Sequence, residues 1–435
     1  MAIYLGSGIK AQPSITTKLN FDEKIPAWMK ENKVPCVGIG IIENGELKYM
    51  KVFGELQENV RAPKNAIFNI ASITKPIVAI VTLKLIESGQ WDLDEPLDKY
   101  WIDPDLTGDS LLKKLTTRYV LSHQSGFPNW RAGNKLKFEF EPGTKFQYSG
   151  EGFEYLRRAL ENKFDKSLET LSDAVLFNPL GMNSTYYVWN DSIKNTRFAF
   201  GHDGNGKIYE GQDWSDVNSA ASLLTTIEDF SKFMIHVMNG AGLSRKLFDE
   251  MINSQVNVKE HISRGLGWGI VFDLPNEKYA LEHGGSNPGF QSMAILLPES
   301  KSGIVVFTNG DNGIFVYNNI IAKSIDIGQA FLDIVYSSYS APIIKLSNEA
   351  LDRYVGTYAR SDVKGYLLYI TREGSDLIIS GDGIPTVKLL AEAENKFFIK
   401  GFGFQYEFVT GENNTVIKLN ISEKGKLLLD AKKLK

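Results

Sequence analysis

The sequence predicts an α/β domain with a helical insert, followed by a small antiparallel β domain. A hairpin is expected around Asn44-Gly45, a strong short turn signal with apolar residues on both sides. A mostly helical region at 92–205 separates this hairpin from later strands. Short alternating strands then recur between 366 and 421, which is typical of a small antiparallel barrel or sandwich.

The first half of the chain predicts two strands and one helix ahead of the helical region. The hairpin strands fall at 34–42 and 47–53. A helix is expected to start at Ser72, because apolar residues at 77–85 share one face, and to end at Gly89.

The second half predicts a return to strands. A helix is expected at about 226–238 and a long amphipathic helix at about 317–335, before a linker at 336–342. The expected strands are 267–272, 291–297, 303–309, 366–371, 377–380, 388–391, 396–399, 406–410 and 416–421.

Length and composition indicate a globular protein with two domains. The 435 residues are 43% hydrophobic and 23% charged, with a formal net charge of −4. No basic stripe with interleaved aromatics indicates nucleic-acid binding. No apolar stretch reaches the roughly 20 residues that span a bilayer. The single cysteine, Cys36, lies in an apolar run and is expected to be buried, and no Cys/His set has zinc spacing.

The N-terminal segment does not predict an intact signal peptide, because a basic stretch followed by a full apolar core is missing. The sequence leaves the compartment open: periplasmic or extracellular if a leader has been removed, and otherwise cytoplasmic.

Ser72-Ile73-Thr74-Lys75 is the first candidate reactive group. Side chains three apart on a helix share a face, so the amine and the hydroxyl are expected to lie close together. A partly desolvated lysine loses its proton nearer neutral pH and can activate a serine nucleophile. Two other Ser-x-x-Lys strings, at 7–10 and 361–364, open no apolar helix and are interpreted as surface chain.

Two further motifs are candidates for the same chemistry. Tyr148 is expected on a loop between helical segments, where its phenol can relay a proton. In His283-Gly284-Gly285-Ser286, two glycines allow the backbone to approach a ligand, and the following N–H group is a candidate oxyanion donor. Taken singly, each motif is also typical of ordinary packing.

Together and in this order, the three motifs resemble those of the penicillin-recognising serine hydrolases. This family includes class C β-lactamases, DD-carboxypeptidases, D-aminopeptidases and β-lactamase-like esterases. The resemblance runs from about Leu19 to Val335 and implies a mixed α/β domain, with an antiparallel sheet flanked by helices, a helical insert at about 92–210 and the active site between them. The segments that carry it are 68–75, 121–128, 142–148, 178–182, 265–268 and 283–285.

The resemblance also implies roles for individual residues. Ser72 matches the acylated serine, Lys75 the adjacent lysine and Tyr148 the tyrosine that shares proton transfer. Backbone N–H groups of Ser72 and Ser286 would form the oxyanion hole, and the family needs no metal or organic cofactor. The residues that would line the substrate site are His283, Gly284, Gly285 and Gly150.

Two departures from the family pattern weaken the case for an efficient β-lactamase. Gly150 stands where the family often has an asparagine that contacts a substrate amide. His283-Gly284-Gly285 replaces the Lys-Thr-Gly of class C β-lactamases and resembles some DD-peptidases and D-aminopeptidases. Neither departure removes the acylation machinery.

The expected domain boundaries are 1–340 for the hydrolase domain and 345–435 for a C-terminal barrel. The barrel resembles the lipocalin-like barrel that is appended to some family members. We expect it to pack near the cleft and limit substrate access, with a role in stability or assembly as the equal alternative. Oligomer formation stays open.

The leading functional hypothesis is a serine hydrolase that cleaves amide or ester bonds of small-molecule or peptide substrates through an acyl-enzyme on Ser72. A carboxylesterase is the second hypothesis, because Gly150 removes a polar contact that an amide substrate would favour. A third is a penicillin-binding sensor that acylates without turnover. The sequence does not decide the natural substrate, or whether Lys75 or Tyr148 is the base.

Overall fold

The computed structural model describes residues 20–131, 133–189, 191–336, 341–361, 366–381, 384–399, 402–412, 415–423 and 425–434. The Ser-x-x-Lys string at 7–10, the linker residues 337–340 and Lys364 of the string at 361–364 therefore lie outside the described residues.

A nine-stranded antiparallel sheet organises the first part of the chain, in the order β3-β2-β1-β11-β10-β9-β8-β7-β6. The predicted hairpin is confirmed, since β1 and β2 pair on either side of Asn44-Gly45. The predictions missed β3, β6, β7 and β9, and the last of these carries His283. The strands are β1 Cys36–Glu43, β2 Glu46–Gln57, β3 Val60–Arg61, β6 Val256–Lys259, β7 Ile262–Arg264, β8 Gly269–Leu274, β9 Glu277–Asn287, β10 Phe290–Leu297 and β11 Ser302–Thr308, with β4 Phe68–Asn69 and β5 Leu224–Thr225 in a separate two-stranded sheet.

Helices cover both faces of the sheet, which explains why its central strands are buried along nearly their whole length. On one face lies α2 (Thr74–Glu87), in which 11 of 14 residues are buried. The sequence predicted a helix with one apolar face, whereas α2 is buried on nearly all sides. It shares this face with α8 (Ile227–Met238), which begins near Thr226 as predicted and has Thr226 as its N-cap. Cys36 is buried at the start of β1.

The opposite face is covered by α1 (Phe21–Glu31), α10 (Gly313–Ser324) and α11 (Gly328–Tyr336). The single helix expected at 317–335 is therefore two helices. The reason is local: Ile325 has an extended backbone, with φ −125° and ψ 144°, which ends α10.

The region at 92–205 is less helical than predicted. Glycine and proline residues such as Gly126, Pro128 and Pro142 interrupt it, and the described residues between Ser122 and Ser149 contain no helix. The remaining helices are α3 Thr117–Leu121, α4 Gly150–Phe164, α5 Leu168–Ser172, a π-helical segment Asp173–Phe177, α6 Asn178–Leu180, α7 Asp191–Thr196 and α9 Arg245–Ile252, with 3-10 turns at Ala71–Ile73, Leu97–Lys99, Pro104–Leu106 and Ser110–Lys114.

The C-terminal strands close into an eight-stranded antiparallel barrel. Of the two folds that the sequence left open, a barrel and a sandwich, the structure has the barrel. Its interior is apolar and aromatic, with Tyr358, Leu368, Phe397 and Phe408 fully buried. The first and last strands were missed by the sequence predictions. A short helix, α12 (Asn348–Asp352), precedes β12 Gly356–Arg360, β13 Leu367–Glu373, β14 Asp376–Gly381, β15 Ile384–Ala391, β16 Lys396–Phe398, β17 Phe404–Thr410, β18 Val416–Glu423 and β19 Lys426–Lys433.

Asn312, at the start of α10, joins three separate segments of the chain. Its amide nitrogen donates to the carbonyl oxygens of Asn32 (3.0 Å) and Gly204 (2.8 Å). Its amide oxygen accepts the N–H of Thr386 in the barrel at 2.7 Å. Because Asn312 is only 6% exposed, water cannot readily replace these bonds. Within the described ranges, we find no helix that is both long enough and apolar enough to cross a membrane.

We predict that Asn312→Ala destabilises the protein by at least about 2 kcal/mol, because three backbone groups lose their partner. Urea denaturation measures the loss. Asn319→Ala, in the same helix, removes one hydrogen bond to the Phe315 carbonyl and is the matched control. Equal stability losses in the two variants would contradict the prediction.

Candidate active site

Ser72 lies in a tight 3-10 turn immediately before α2, rather than in the first turn of the α-helix itself. The preceding residue, Ala71, has a left-handed backbone with φ +49°, which is unfavourable for a residue with a Cβ. The side chain of Asn69 supports this conformation by accepting the Ala71 N–H at 3.1 Å. Strained backbone that is held in this way is common at functional sites.

Lys75 is fully buried, and its amine faces the serine. Its Nζ donates to Ser72 Oγ at 3.2 Å and to the carbonyl oxygen of Ala220 at 3.0 Å. Burial, above all, lowers the pKa of Lys75 below its usual value, and Arg264 lowers it further, while Tyr148 and Glu154 oppose the shift. The arrangement therefore favours a neutral amine beside a hydroxyl more than an exposed lysine would.

Tyr148 reaches the same point from a distant part of the chain. The Lys75 Nζ lies 4.6 Å from the centre of its ring, and the Tyr148 ring centre lies 6.3 Å from that of His283. The structure thus brings together Ser72, Lys75, Tyr148 and His283, the four side chains that the sequence selected.

His123 holds Tyr148 in position. Its ring stacks on the phenol at 4.2 Å between centres, its carbonyl oxygen accepts the Gln147 N–H at 2.8 Å, and its Nδ1 accepts the Ser149 N–H at 3.1 Å. Both chain neighbours of Tyr148 are therefore fixed by one residue. His123 lies in the segment 121–128, one of those that carry the family resemblance.

His283-Gly284-Gly285-Ser286 lie within β9, a strand that the sequence did not predict. Strand β10 pairs along this stretch, but β8 pairs with β9 only as far as Glu282, so one edge of these residues carries no strand. A Cβ at Gly285 would lie 2.3 Å from the carbonyl oxygen of Ile70. Glycine is thus required for β9 to approach the turn that holds Ser72.

His283 is buried and differs chemically from a lysine at this position. Its Nδ1 donates to the Gly284 carbonyl at 2.7 Å, while its buried Nε2 has no partner among the described residues. Burial, followed by the charges of Arg264 and Lys75, holds the pKa of His283 well below its ordinary value. The ring is neutral, and Nε2 is an acceptor.

Sequence reasoning missed the groups that link the loop at 218–221 to the site. Glu154 accepts both the backbone N–H (2.6 Å) and the hydroxyl (2.7 Å) of Ser219, next to the carbonyl that Lys75 contacts. Asn287 donates to Asn69 Oδ1 at 2.8 Å and to the Ala221 carbonyl at 3.1 Å. No local pattern signals these contacts, since the partners lie far apart in sequence.

The two buried histidines make the stability of the fold depend on pH. Burial, with the charges of Arg264 and Lys75, depresses the pKa of both His123 and His283, so the folded protein keeps them neutral. The unfolded chain takes up protons on them below about pH 6.5. The free energy of unfolding is therefore highest above that pH and falls below it, by up to about 1.4 kcal/mol per pH unit for each histidine.

Urea denaturation between about pH 7.5 and 5 tests this dependence. His123→Gln and His283→Gln should each show a shallower decrease in stability towards low pH than the parent protein. His261→Gln, at an exposed histidine in the turn between β6 and β7, controls for the substitution itself. An undiminished slope in both site variants would count against the argument.

Comparison with known proteins identifies the family and relatives of this chain. The family model described as "Beta-lactamase" matches residues 21–325. Among curated relatives, the chain is 24% identical over 421 residues to "Penicillin-binding protein 4*" of Bacillus subtilis (strain 168), covering 85% of this chain and 89% of that protein. It is 23% identical over 314 residues to "Protein flp" of Staphylococcus aureus (strain NCTC 8325 / PS 47), covering 65% and 61%.

Two solved structures share the fold. The octameric penicillin-binding protein homologue from Pyrococcus abyssi superimposes with a TM-score of 0.63 at 20% identity, covering 94% of this chain and 98% of that one. D-alanine carboxypeptidase AmpC from Burkholderia cenocepacia gives a TM-score of 0.60 at 21% identity, covering 71% and 97%. The family model matches most of the chain, and the sheet, helices and barrel are of the expected kind. This chain therefore belongs to the beta-lactamase family, whose members are generally serine hydrolases.

Proposed function

We propose that the protein hydrolyses amide or ester bonds of small acyl substrates through an acyl-enzyme on Ser72. The observation that carries this proposal is the 3.2 Å contact between Ser72 Oγ and the buried amine of Lys75. A hydroxyl beside a desolvated amine is the arrangement that nucleophilic catalysis requires.

The reaction has two steps. Ser72 Oγ attacks the acyl carbon and gives its proton to Lys75 or Tyr148, and the leaving alcohol or amine takes up a proton as its bond to the acyl carbon breaks. Water then attacks the ester on Ser72 and releases the acid. Backbone N–H groups of Ser72 and Ser286 would stabilise the oxyanion, and such a donor typically contributes roughly 3 kcal/mol to the transition state.

His283 would border the substrate as a neutral group. Its Nε2 is an acceptor for a donor on the substrate, unlike the cationic lysine of a Lys-Thr-Gly motif. Gly284 and Gly285 would keep the edge of β9 open, so that an extended substrate could lie along it.

A carboxylesterase is the second candidate, and Gly150 supports it. Gly150 begins α4 two residues after Tyr148, and it offers no side chain to an amide substrate. A penicillin-binding sensor differs only in the second step, because its acyl-enzyme would persist.

We also propose the division of the chain into 1–340 and 345–435. The barrel meets the first part at Asn312 and through Phe402, whose ring lies 5.9 Å from that of Phe315 in α10. Helix α10 covers the sheet face opposite α2, the helix that carries Lys75. This placement of the barrel supports a role for it in stability or assembly, over a role in limiting substrate access to the site. The Pyrococcus abyssi relative is described as octameric, and an oligomer is accordingly part of this proposal.

Intact mass after treatment with a fluorophosphonate and with a penicillin tests the nucleophile. The native chain should gain one adduct with the fluorophosphonate, and Ser72→Ala should gain none. Ser361→Ala, at the exposed first residue of the Ser-x-x-Lys string at 361–364, should label like the native chain. Labelling of Ser72→Ala equal to that of the native chain would refute the assignment, and a penicillin adduct that persists would identify a sensor.

The lowered pKa of Lys75 predicts how acylation depends on pH. If the neutral Lys75 amine is the base, the rate of fluorophosphonate labelling should rise with pH through a midpoint below the usual lysine value of about 10.4. Lys75→Arg should lose at least about 100-fold in rate, because a guanidinium does not deprotonate.

Lys84→Arg is the matched control, since Lys84 lies on the same helix and also donates to a backbone carbonyl, that of Ala241. It should keep the native rate and pH profile. A native profile in Lys75→Arg would remove Lys75 from the role of base.

A further inference from the structure

Trp130 covers the position where the substrate-contacting asparagine of many relatives would stand. A Cβ built on Gly150 would lie 2.5 Å from Cη2, 2.7 Å from Cζ2 and 2.9 Å from Cζ3 of the Trp130 indole. Carbon atoms in contact lie roughly 3.5–4.0 Å apart, so no side chain fits at residue 150 while the indole stays in place. The position of the Trp130 indole therefore requires a glycine at residue 150.

The chain on both sides of Trp130 is fixed. The carbonyl oxygen of Asn129 accepts the N–H groups of Gly150 and Glu151, both at 3.0 Å. On the other side, Arg131 donates to Glu151 at 3.0 Å and to Asp103 at 2.8 Å, and both carboxylates are largely buried. The indole is thus held against the start of α4 by bonds that do not involve the indole itself.

The indole is nevertheless 41% exposed. A single exposed apolar side chain is ordinary on a protein surface. Trp130 differs because its ring packs against the backbone two residues from Tyr148, on the segment that also carries the His123 contacts. An aromatic face therefore borders the candidate site at the point where an amide-recognising side chain is missing.

We propose that Trp130 determines the specificity for the acyl group, by offering an apolar aromatic wall in place of a hydrogen-bonding side chain at residue 150. The inference rests on the proposed acyl-enzyme function and narrows its substrate class. The preferred substrates carry an aromatic or bulky apolar acyl group, and their recognition does not depend on a polar amide at that position.

A stability cycle tests the packing. Gly150 lies outside the left-handed region and begins a helix, so alanine suits its backbone. Gly150→Ala should lower the melting temperature when Trp130 is present, and should leave it unchanged or raise it in a Trp130→Ala background. An equal effect of Gly150→Ala in both backgrounds would overturn the proposed contact.

An acylation assay tests the specificity. We measure the rate constant of p-nitrophenol release for the phenylacetate and the acetate ester, in the acylation phase that needs no turnover. The ratio of the phenylacetate rate constant to the acetate rate constant should fall about tenfold in Trp130→Ala. Trp130→Phe should retain much of this ratio. Tyr369→Ala, at a similarly exposed aromatic residue of the barrel (38%), is the control and should keep the native ratio.

The outcomes separate the two proposals. Release that depends on Ser72 but shows the native ratio in Trp130→Ala overturns the role of Trp130 alone. Absence of Ser72-dependent release from both esters overturns the acyl-enzyme and the specificity proposal together. The melting temperature of each variant establishes that it is folded.

Discussion

The enclosure of the Lys75 amine is the constraint on which the site depends. A lysine with no exposed surface is unfavourable when charged, and its Nζ donates to one hydroxyl and one carbonyl oxygen. That carbonyl is oriented through the neighbouring Ser219, which Glu154 binds twice. The fold thus keeps a potential base away from solvent and holds its nitrogen against Ser72.

The phenol is positioned by a different principle, since it is stacked rather than enclosed. His123 contacts the ring of Tyr148 and the backbone on both sides of it, and His123 itself adopts a left-handed backbone, with φ +58°. One unfavourable backbone conformation, at Ala71, thus adjoins the candidate nucleophile, and a second, at His123, lies against Tyr148. The surrounding hydrogen bonds offset their cost, which is of order 1–3 kcal/mol each.

The sequence predicted the fold and the four side chains that the structure brings together, because these follow from local patterns and from the order of the motifs. The Asn44-Gly45 turn, the Thr226 helix start and six barrel strands follow from periodicity and turn chemistry. Prediction from the sequence failed where contacts between distant parts of the chain determine the local structure. Strand β9 was missed because its glycines suggest a turn, although they are needed there for close approach to Ile70. Trp130 was missed because its relation to Gly150 exists only after folding.

The way the sheets end has a consequence for solubility. Unpaired strand edges are templates for intermolecular pairing and aggregation. The large sheet ends in strands of only two and four residues, β3 and β6, and the barrel closes on itself. Closure removes the edges of the barrel, but β2 pairs with β3 only at Glu55 and Gln57, so residues 46–54 of β2 are the long edge of the large sheet that another chain could extend.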